Sequence, residues 1–262
     1  MVHEVSQMNR YEIALDIAVK HNEDLKQSYL AQADKIIKEN EVIVLFTTDI
    51  HAETGKLHYV KERLVQLQDE GHKVLLVDSG DINEKTKDIT PYLNGYWDCV
   101  TPGNHDALCN GQTFYKRVEE ANFTYLAYDL VRNGEPVLTP YRIYDYGGLR
   151  IGIIGQSRLH TSSGKWDAKV ERSAESFQKW IDEMDADFVI ALIHMGEDEC
   201  RKYLKQLHGI DVVLGGHTHK KVNTILKDRD GKNVIFAQAG WKMSCYGEMT
   251  ISDTIKVELK GV

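Results

Sequence analysis

From residue 41 onward, short aliphatic runs alternate with polar, helix-compatible stretches, and few folds accommodate that order. We assign strands to the runs 42–46, 73–78, 98–100, 150–155, 187–193, 211–214 and 233–238. Helical spacing of apolar residues lies between several of them, at 58–70 and 174–184. Continuous aliphatic strands are typical of largely parallel sheets that are buried on both faces. The pattern therefore predicts an α/β fold in layers.

The two ends of the chain differ from this alternation. In residues 1–40, apolar residues recur at helical spacing on both sides of a polar stretch at 21–24, which predicts two helices. The last stretch, 247–259, alternates apolar and polar residues around Ser252 and Asp253, which predicts an antiparallel hairpin or edge. We therefore divide the chain into an N-terminal helical extension over 1–40 and a main domain over 41–262.

Composition disfavours several classes of protein. Acidic residues exceed basic ones by 40 to 32, and the formal net charge of −8 argues against broad binding to nucleic acid or to anionic membranes. The longest apolar runs are far shorter than the roughly 18 residues of a membrane span. The first ten residues lack the basic and apolar regions of a secretory signal, and the four cysteines form no CxxC pair. We therefore expect a cytoplasmic protein without a membrane partner and without a disulfide framework.

Residues with metal-binding side chains follow almost every predicted strand. In chain order the motifs are Asp49-Ile50-His51, Gly80-Asp81, Gly103-Asn104-His105-Asp106, His194 and Gly216-His217-Thr218-His219. Because sites in open α/β sheets gather outside the carboxyl ends of the strands, we expect these residues to converge. Each of the first four motifs alone is more often an ordinary turn or strand end, but His217 and His219 point to one side of an extended chain, and the five motifs together contain five of the eleven histidines. The joint pattern predicts a metal site.

The ligand types indicate a hydrolytic site with two metal ions. Aspartate and asparagine supply oxygen, histidine supplies nitrogen, and no sulfur takes part, which favours manganese, iron, zinc or cobalt over magnesium. Two such ions about 3.5–4 Å apart can share a bridging hydroxide and support an in-line displacement at phosphorus. One carboxylate must bridge the two ions, and Gly80 beside Asp81 lets the backbone come close. Of the four metals, we expect manganese.

The order of these motifs resembles the calcineurin-like metallophosphoesterase superfamily over residues 42–247. Within it, the segments TTDIHAETG, LLVDSGD and VIFAQAGWKMSCYG look most like the catalytic domain of 5′-nucleotidases and 2′,3′-cyclic-nucleotide phosphodiesterases. The resemblance implies a four-layer α/β/β/α sandwich of two mixed sheets flanked by helices. It also identifies residues 41–262 as a metallophosphoesterase catalytic domain.

The resemblance further implies a role for each motif residue. One metal ion would be held by Asp49, His51, Asp81 and His219, and the other by Asp81, Asn104, His194 and His217, with Asp81 bridging. His105 would be the catalytic residue that stabilises the phosphoryl oxygens or protonates the leaving group. An imidazole suits the acid role because its pKa lies near neutrality.

The chain departs from the family pattern in two places. Many 5′-nucleotidases read GNHEFD, in which the last aspartate orients the catalytic histidine, whereas this chain has Leu108 there. Asp106 and Asp78 are two candidates to replace that aspartate. Secreted nucleotidases also continue into a second domain that sandwiches the base, whereas this sequence ends at Val262, so we expect no base pocket of that kind.

Aromatic and basic residues in strand-end loops are candidates to contact the rest of a substrate. They are Tyr96, Trp97, Arg158, His160, Trp241 and Tyr246. Each is more often an ordinary surface or core residue. An arginine near the metals would grip phosphate through its planar guanidinium group.

The sequence thus predicts a dinuclear-metal-dependent phosphoesterase acting on a small phosphate mono- or diester. We expect a nucleotide or cyclic nucleotide as substrate and attack by a metal-bridging hydroxide. A nuclease is one alternative, because superfamily members with GNHD cut DNA or RNA, but the acidic balance opposes it. A non-catalytic binding protein on the same fold is another, and the complete ligand set opposes that alternative.

Overall fold

The computed structural model describes residues 41–161 and 165–262. The two helices predicted for residues 1–40 lie outside the described residues, so the helical extension stays a prediction. None of the helices within the described ranges combines the length and apolar character needed to cross a bilayer. All four cysteines of the chain are free thiols, as their spacing predicts.

Strands make up most of the regular structure in the described ranges. In chain order they are β1 (Val42–Thr47), β2 (Lys73–Asp78), β3 (Cys99–Val100), β4 (Thr124–Tyr125), β5 (Leu130–Arg132), β6 (Glu135–Pro136), β7 (Tyr141–Asp145), β8 (Arg150–Gln156), β9 (Lys169–Val170), β10 (Phe188–Ile193), β11 (Val212–Gly215), β12 (Lys221–Lys227), β13 (Asn233–Ala239), β14 (Cys245–Ile251) and β15 (Ile255–Gly261). Each strand expected from an aliphatic run is present.

Helices connect several of these strands. They are α1 (Leu57–Asp69), α2 (Thr90–Leu93), α3 (Gly111–Glu120), α4 (Ala174–Asp182) and α5 (Glu197–Tyr203), with short 3₁₀ helices at Asp106–Leu108 and Leu204–Gln206. The helices predicted at 58–70 and 174–184 correspond to α1 and α4 within two residues at each end. Side-chain oxygens of Asn110 and Ser173 cap the amino ends of α3 and α4 by accepting backbone N–H groups.

Two six-stranded mixed sheets form the body of the domain. The first has the order β15-β14-β1-β2-β3-β4 and the second the order β12-β13-β11-β10-β8-β7, beside a small sheet β6-β5-β9. Strands β1 to β4 run parallel, as do β8, β10, β11 and β13. Antiparallel strands flank both parallel sets, and β14 and β15 form the expected antiparallel hairpin.

Three apolar clusters define four layers. Side chains such as Phe46 of β1 and Ile190 of β10 pack between the two large sheets. On its outer face the first sheet is covered by α1 and α3, which bury Leu64 and Phe114. The second sheet is covered by α4 and α5, where Phe177 is fully buried. The predicted α/β/β/α sandwich is confirmed, and burial of this apolar surface supplies its main stabilising free energy.

Candidate metal centre

The five strand-end motifs meet at one edge of the sandwich. Three groups of side chains each bring their ligand atoms within 4.8 Å of one another. They are Asp49 with His51 and His219, His51 with Asp81 and His105, and Asp81 with His194 and His217. The groups overlap at His51 and Asp81. Loops after β1, β2, β3, β10 and β11 therefore build one continuous centre, as parallel strands with a common edge predict.

Distances between ligand atoms match those around shared cations. Nε2 of His51 lies 3.1 Å from Nε2 of His219, which in turn lies 3.4 Å from Oδ1 of Asp49. Nε2 of His194 lies 3.1 Å from Oδ2 of Asp81. Donor atoms about 2.0–2.2 Å from one ion lie roughly 3–4 Å from each other. The residues therefore fit divalent transition-metal ions.

Two buried polar atoms in the centre support the same conclusion. Oδ1 of Asn104 and Nε2 of His194 are buried and form no hydrogen bond with protein atoms. The short approach of His194 to Asp81 lacks the alignment of a hydrogen bond. An unsatisfied buried polar atom costs about 1–3 kcal/mol, and a bound cation would satisfy both atoms.

Hydrogen bonds at the far side of two rings determine which nitrogen faces the centre. Nδ1 of His194 donates to the carbonyl oxygen of Ser79 at 2.7 Å. Nδ1 of His51 lies 2.8 Å from Oε1 of Glu84 and donates to that carboxylate. Because both acceptors lack hydrogen, Nδ1 of each ring carries a proton and Nε2 is the nitrogen that faces the centre. Metal-binding histidines are held in this way by outer partners.

The electrostatics of the centre favour a bound cation. Burial raises the pKa of Asp81, but the neighbouring His194 outweighs it and lowers that pKa to about 2. Burial lowers the pKa of His194, yet the charges of Asp81 and Asp49 raise it to about 9. Burial lowers the pKa values of His217 and His219. The two carboxylates therefore attract positive charge, while two imidazoles remain neutral and available as ligands.

The backbone of the centre is strained at its predicted ligands. Five non-glycine ligand residues have a left-handed φ between 49° and 73°, namely Asp49, His51, Asp81, His217 and His219. Such a conformation costs about 1 kcal/mol or more per residue. Backbone hydrogen bonds of 2.8 Å from the Asp49 N–H to Gly80 and from the His51 N–H to Asp81 hold part of it in place. Strain concentrated in one place is typical of a functional site.

Two glycines permit the close approach of the loops. A Cβ on Gly103 would lie 2.1 Å from Oδ1 of Asp81. A Cβ on Gly80, whose φ is +108°, would lie 2.6 Å from Nδ1 of His194. Both separations are far below van der Waals contact. As predicted for Gly80, the absence of a side chain lets the backbone come close, so that the Asp81 carboxylate lies against the neighbouring loop.

Asp106 joins the loops after β2 and β3. Its buried carboxylate accepts the backbone N–H groups of Asp81 at 2.9 Å, Asn83 at 2.9 Å and Gly103 at 2.8 Å. Three donors on one carboxylate define the spacing of two loops. The role of Asp106 is therefore to position the backbone that carries the ligands.

Neither aspartate proposed to replace the missing orienting residue contacts the ring of His105. Asp106 is occupied by backbone donors. Asp78 is buried, where it accepts the Thr47 hydroxyl at 2.6 Å and the Gly80 N–H at 2.7 Å. These contacts make both aspartates structural partners of the loops.

Glu84 contacts His105 in their place, and sequence reasoning missed it. Oε2 of Glu84 lies 3.1 Å from Nδ1 of His105. Glu84 follows Asp81 by three residues in the same loop, so an acidic residue close behind the Gly80-Asp81 motif was the available clue.

Two of the candidate substrate-contacting residues, Tyr96 and Trp97, lie away from the centre. Trp97 is buried, and its Nε1 donates to the Thr47 hydroxyl oxygen at 3.2 Å. The Lys61 ammonium lies over the ring of Tyr96, 4.0 Å from the ring centroid, beside α1. Both residues are therefore excluded from the wall of the centre.

Trp241 does lie on that wall. Its ring stacks on His219 with 4.9 Å between centroids and 6° between planes, and it lies 6.3 Å from the ring of His51. Trp241 is 42% exposed. The N–H of the next residue, Lys242, donates to the carbonyl oxygen of Asp49 at 2.8 Å, which ties this loop to the centre.

Arg158 is the other candidate close to the centre. Its charge helps to lower the pKa of His217, after the larger effect of burial. Its Nη1 donates to Oε2 of Glu199 at 2.8 Å. His160 is exposed, and Tyr246 packs against the core beneath α1.

A family profile described as "Calcineurin-like phosphoesterase" matches residues 43–221. Among curated proteins, a snake venom 5′-nucleotidase of Gloydius brevicauda is 26% identical over 254 residues, covering 76% of this chain and 43% of that protein. A 5′-nucleotidase of Vibrio cholerae is 25% identical over 241 residues, covering 73% of this chain and 42% of that protein. The chain thus spans less than half the length of these relatives.

Solved structures share the fold. The 5′-nucleotidase precursor from Thermus thermophilus superposes with a TM-score of 0.71 at 21% identity, covering 85% of this chain and 54% of that one. The calcineurin-like phosphoesterase YfkN from Bacillus subtilis gives a TM-score of 0.64 at 19% identity, covering 84% and 90%. At these sequence identities the structural similarity establishes that the fold is shared.

Proposed function

This chain belongs to the calcineurin-like phosphoesterase family and is a phosphoesterase, and from that premise we propose that it hydrolyses a small phosphate ester with two divalent metal ions. The observation that carries the proposal is the pair of ligand groups that share Asp81 in the structure. One of these groups contains His51 and His105 and the other contains His194 and His217, while Asp49 and His219 adjoin the first group through His51. We assign Asn104 to the second group through its unpartnered Oδ1.

Bound at this place, two ions would activate a water molecule and neutralise negative charge on the phosphoryl oxygens. The protein's own part is to hold the ligands at fixed separations. Hydrogen bonds to Ser79 and Glu84 aim the rings of His194 and His51, and the carboxylate of Asp106 holds the loops. Mixed oxygen and nitrogen ligands without sulfur suit manganese, iron, zinc and cobalt, and of these we propose manganese.

His105 is the residue that we propose as catalytic. Its ring centroid lies 4.5 Å from that of His51, and its side chain is 33% exposed, so it borders both the centre and solvent. Its backbone N–H donates to Oδ1 of Asp81 at 2.6 Å, which fixes its place beside the bridging carboxylate. From there the imidazole can donate a hydrogen bond to a phosphoryl oxygen or a proton to a leaving oxygen.

We propose a nucleotide or cyclic nucleotide as the substrate. Trp241 supports this choice because an exposed indole beside the metal ligands offers a stacking surface for a base. The relatives named 5′-nucleotidase act on esters of this class. Trp241 is therefore the contact that we propose for the base.

Hydrolysis of paired aryl esters tests the proposal. Metal-stripped protein is reloaded with manganese and assayed on 4-nitrophenyl phosphate and bis(4-nitrophenyl) phosphate, then on nucleoside monophosphates and 2′,3′-cyclic nucleotides. We expect metal-dependent turnover that falls by about 100-fold or more in Asn104→Ala and His105→Ala. The variant His208→Ala, which lies outside the centre, is the control. Full activity in either centre variant would refute the assigned roles.

A further inference from the structure

The carboxylate of Glu84 lies between two histidines of the centre. Its Oε1 is 2.8 Å from Nδ1 of His51, and its Oε2 is 3.1 Å from Nδ1 of His105. An ionised carboxylate only accepts hydrogen bonds, so both Nδ1 atoms donate to it. One side chain therefore determines the tautomer and the orientation of two rings that have different proposed roles.

The loop that carries Glu84 is held from several directions. The guanidinium of buried Arg117 donates to the Glu84 carbonyl oxygen at 3.2 Å and pairs with Asp88 at 3.4 Å. The side-chain oxygen of Asn83 accepts the N–H of Ile89 at 2.7 Å, which closes the loop on itself. Because the backbone on both sides is fixed, the carboxylate is presented to the two rings in a preorganised position.

The residues at the other candidate positions do not orient the ring of His105, and Glu84 is in place to do so. Leu108 is 47% exposed and has no polar group, and Asp106 and Asp78 are occupied by other donors. Across the two described ranges, Glu84 supplies the hydrogen bond recorded for the His105 ring.

We propose that Glu84 is the positioning residue of this centre, orienting His105 for catalysis and His51 for metal binding with the same carboxylate. The proposal rests on the phosphoesterase function proposed above. In the family pattern the orienting carboxylate lies in the loop after β3, whereas in this chain we place it in the loop after β2. As a consequence, leaving-group protonation and metal affinity both depend on one side chain.

The variant Glu84→Gln tests the arm that acts through His105. Glutamine has a similar size but offers an NH₂ group to one of the two Nδ1 donors, so at least one hydrogen bond is lost. At saturating manganese we expect kcat to fall about 10- to 100-fold with KM changed by less than about threefold. Glu84→Asp retains the charge and should recover part of the loss.

The dependence on the leaving group separates positioning from general damage. Aryl esters of the class that the wild type hydrolyses are compared in pairs, with a phenyl and a 4-nitrophenyl leaving group. If Glu84 acts through a histidine that protonates the leaving oxygen, Glu84→Gln should lose several-fold more rate on the phenyl ester, which needs the proton more. In a His105→Ala background, Glu84→Gln should add little. Equal losses on both esters, together with full additivity, would overturn this arm.

Metal binding tests the arm that acts through His51. Titration calorimetry with manganese should show affinity about 10- to 100-fold weaker in Glu84→Gln than in the wild type. The matched control is Lys85→Ala, an exposed neighbour in the same loop, which should bind manganese as the wild type does. Unchanged affinity in Glu84→Gln would remove this part of the proposal.

An NMR measurement that does not depend on turnover distinguishes a failure of the Glu84 proposal from a failure of the proposed function. In ¹⁵N-histidine-labelled, metal-free protein, the Nδ1–H resonances of His51 and His105 should be visible in the wild type and shifted or lost in Glu84→Gln, with thermal melting showing that the variant is folded. A wild type that hydrolyses no ester but shows this pattern would refute the proposed function and retain the role of Glu84. Resonances unchanged by Glu84→Gln would refute that role, whatever the activity.

Discussion

Nε2 of His51 and Nε2 of His219 face each other at 3.1 Å, although the two residues are 168 positions apart in the chain. The Nδ1 hydrogen of His51 is engaged by Glu84, so Nε2 is the nitrogen that faces the other imidazole. The approach is favourable when a proton or a cation lies between the rings. A divalent ion that both rings ligate satisfies this condition for each of them.

Metal binding should therefore stabilise the folded chain. With free manganese at about 100 times its dissociation constant, the gain is about 2.7 kcal/mol, or roughly 5–10 °C in melting temperature for a domain of this size. Differential scanning fluorimetry with and without EDTA measures the shift. His219→Ala should lose most of it and His208→Ala should keep it. An equal shift in both variants would mean that the ion binds elsewhere.

Replacing Asp106 by alanine should destabilise the metal-free fold. Three backbone N–H groups lose their shared acceptor, and each unsatisfied buried donor costs about 1–3 kcal/mol, so we expect a loss of about 3 kcal/mol or more in the free energy of unfolding. Urea denaturation measures it, and Asp253→Ala on an exposed turn is the control. A loss below about 1 kcal/mol would show that water replaces the carboxylate.

Asp78 should make stability fall as pH rises in the metal-free protein. Burial raises the pKa of this carboxyl from 3.8 to about 8. The folded state therefore holds the proton more tightly than the unfolded state does, so the stability contributed by this group is complete below about pH 4 and decreases up to about pH 8. In Asp78→Asn the amide keeps contacts to Thr47 and Gly80 without titrating.

The check is the difference in unfolding free energy between Asp78→Asn and the wild type, measured in urea from pH 4 to pH 8 with EDTA present. The difference should shift steadily in favour of the variant as pH increases. A constant difference across this window would show that Asp78 ionises at its ordinary pKa in the folded protein.

Trp241→Ala should weaken binding of nucleotides more than binding of small aliphatic esters. Loss of base stacking costs about 1–3 kcal/mol, which corresponds to a rise of about 5- to 150-fold in KM for a nucleotide, whereas KM for glycerol phosphate should stay unchanged. Trp241→Phe should retain most of the affinity. Tyr92→Ala, an exposed aromatic residue on α2, is the matched control. A uniform rise for all esters would instead indicate that Trp241 supports the ring of His219.

Much of the fold could be predicted because its determinants are local. Aliphatic runs such as 187–193 must be buried on both faces, and the helical spacing at 58–70 leaves one face for the sheet. The strands missed by this reasoning are short or polar, such as β5 and β12. The latter lies at a sheet edge with alternating exposure, so its pattern depends on a neighbour that the sequence does not reveal.

The meeting of the five motifs followed from the same logic, because parallel strands place their carboxyl ends together. The residues that lie beside each motif could not be predicted in this way. Trp97 and Trp241 each adjoin a strand, yet one donates to Thr47 in the core and the other stacks on His219. Local sequence does not distinguish them, since their environments are built by segments far away in the chain.

The sequence by itself determined the layered α/β architecture, the parallel strands and the set of residues able to hold metal, because these depend on side-chain chemistry and short-range periodicity. Only the tertiary structure decided that Asp106 binds three backbone N–H groups and that Glu84 joins His51 to His105. Those pairings depend on the angles at which separate loops leave their strands, with Gly80 and Gly103 allowing the close approach. Distances of about 3 Å between loops are set by packing of the whole domain.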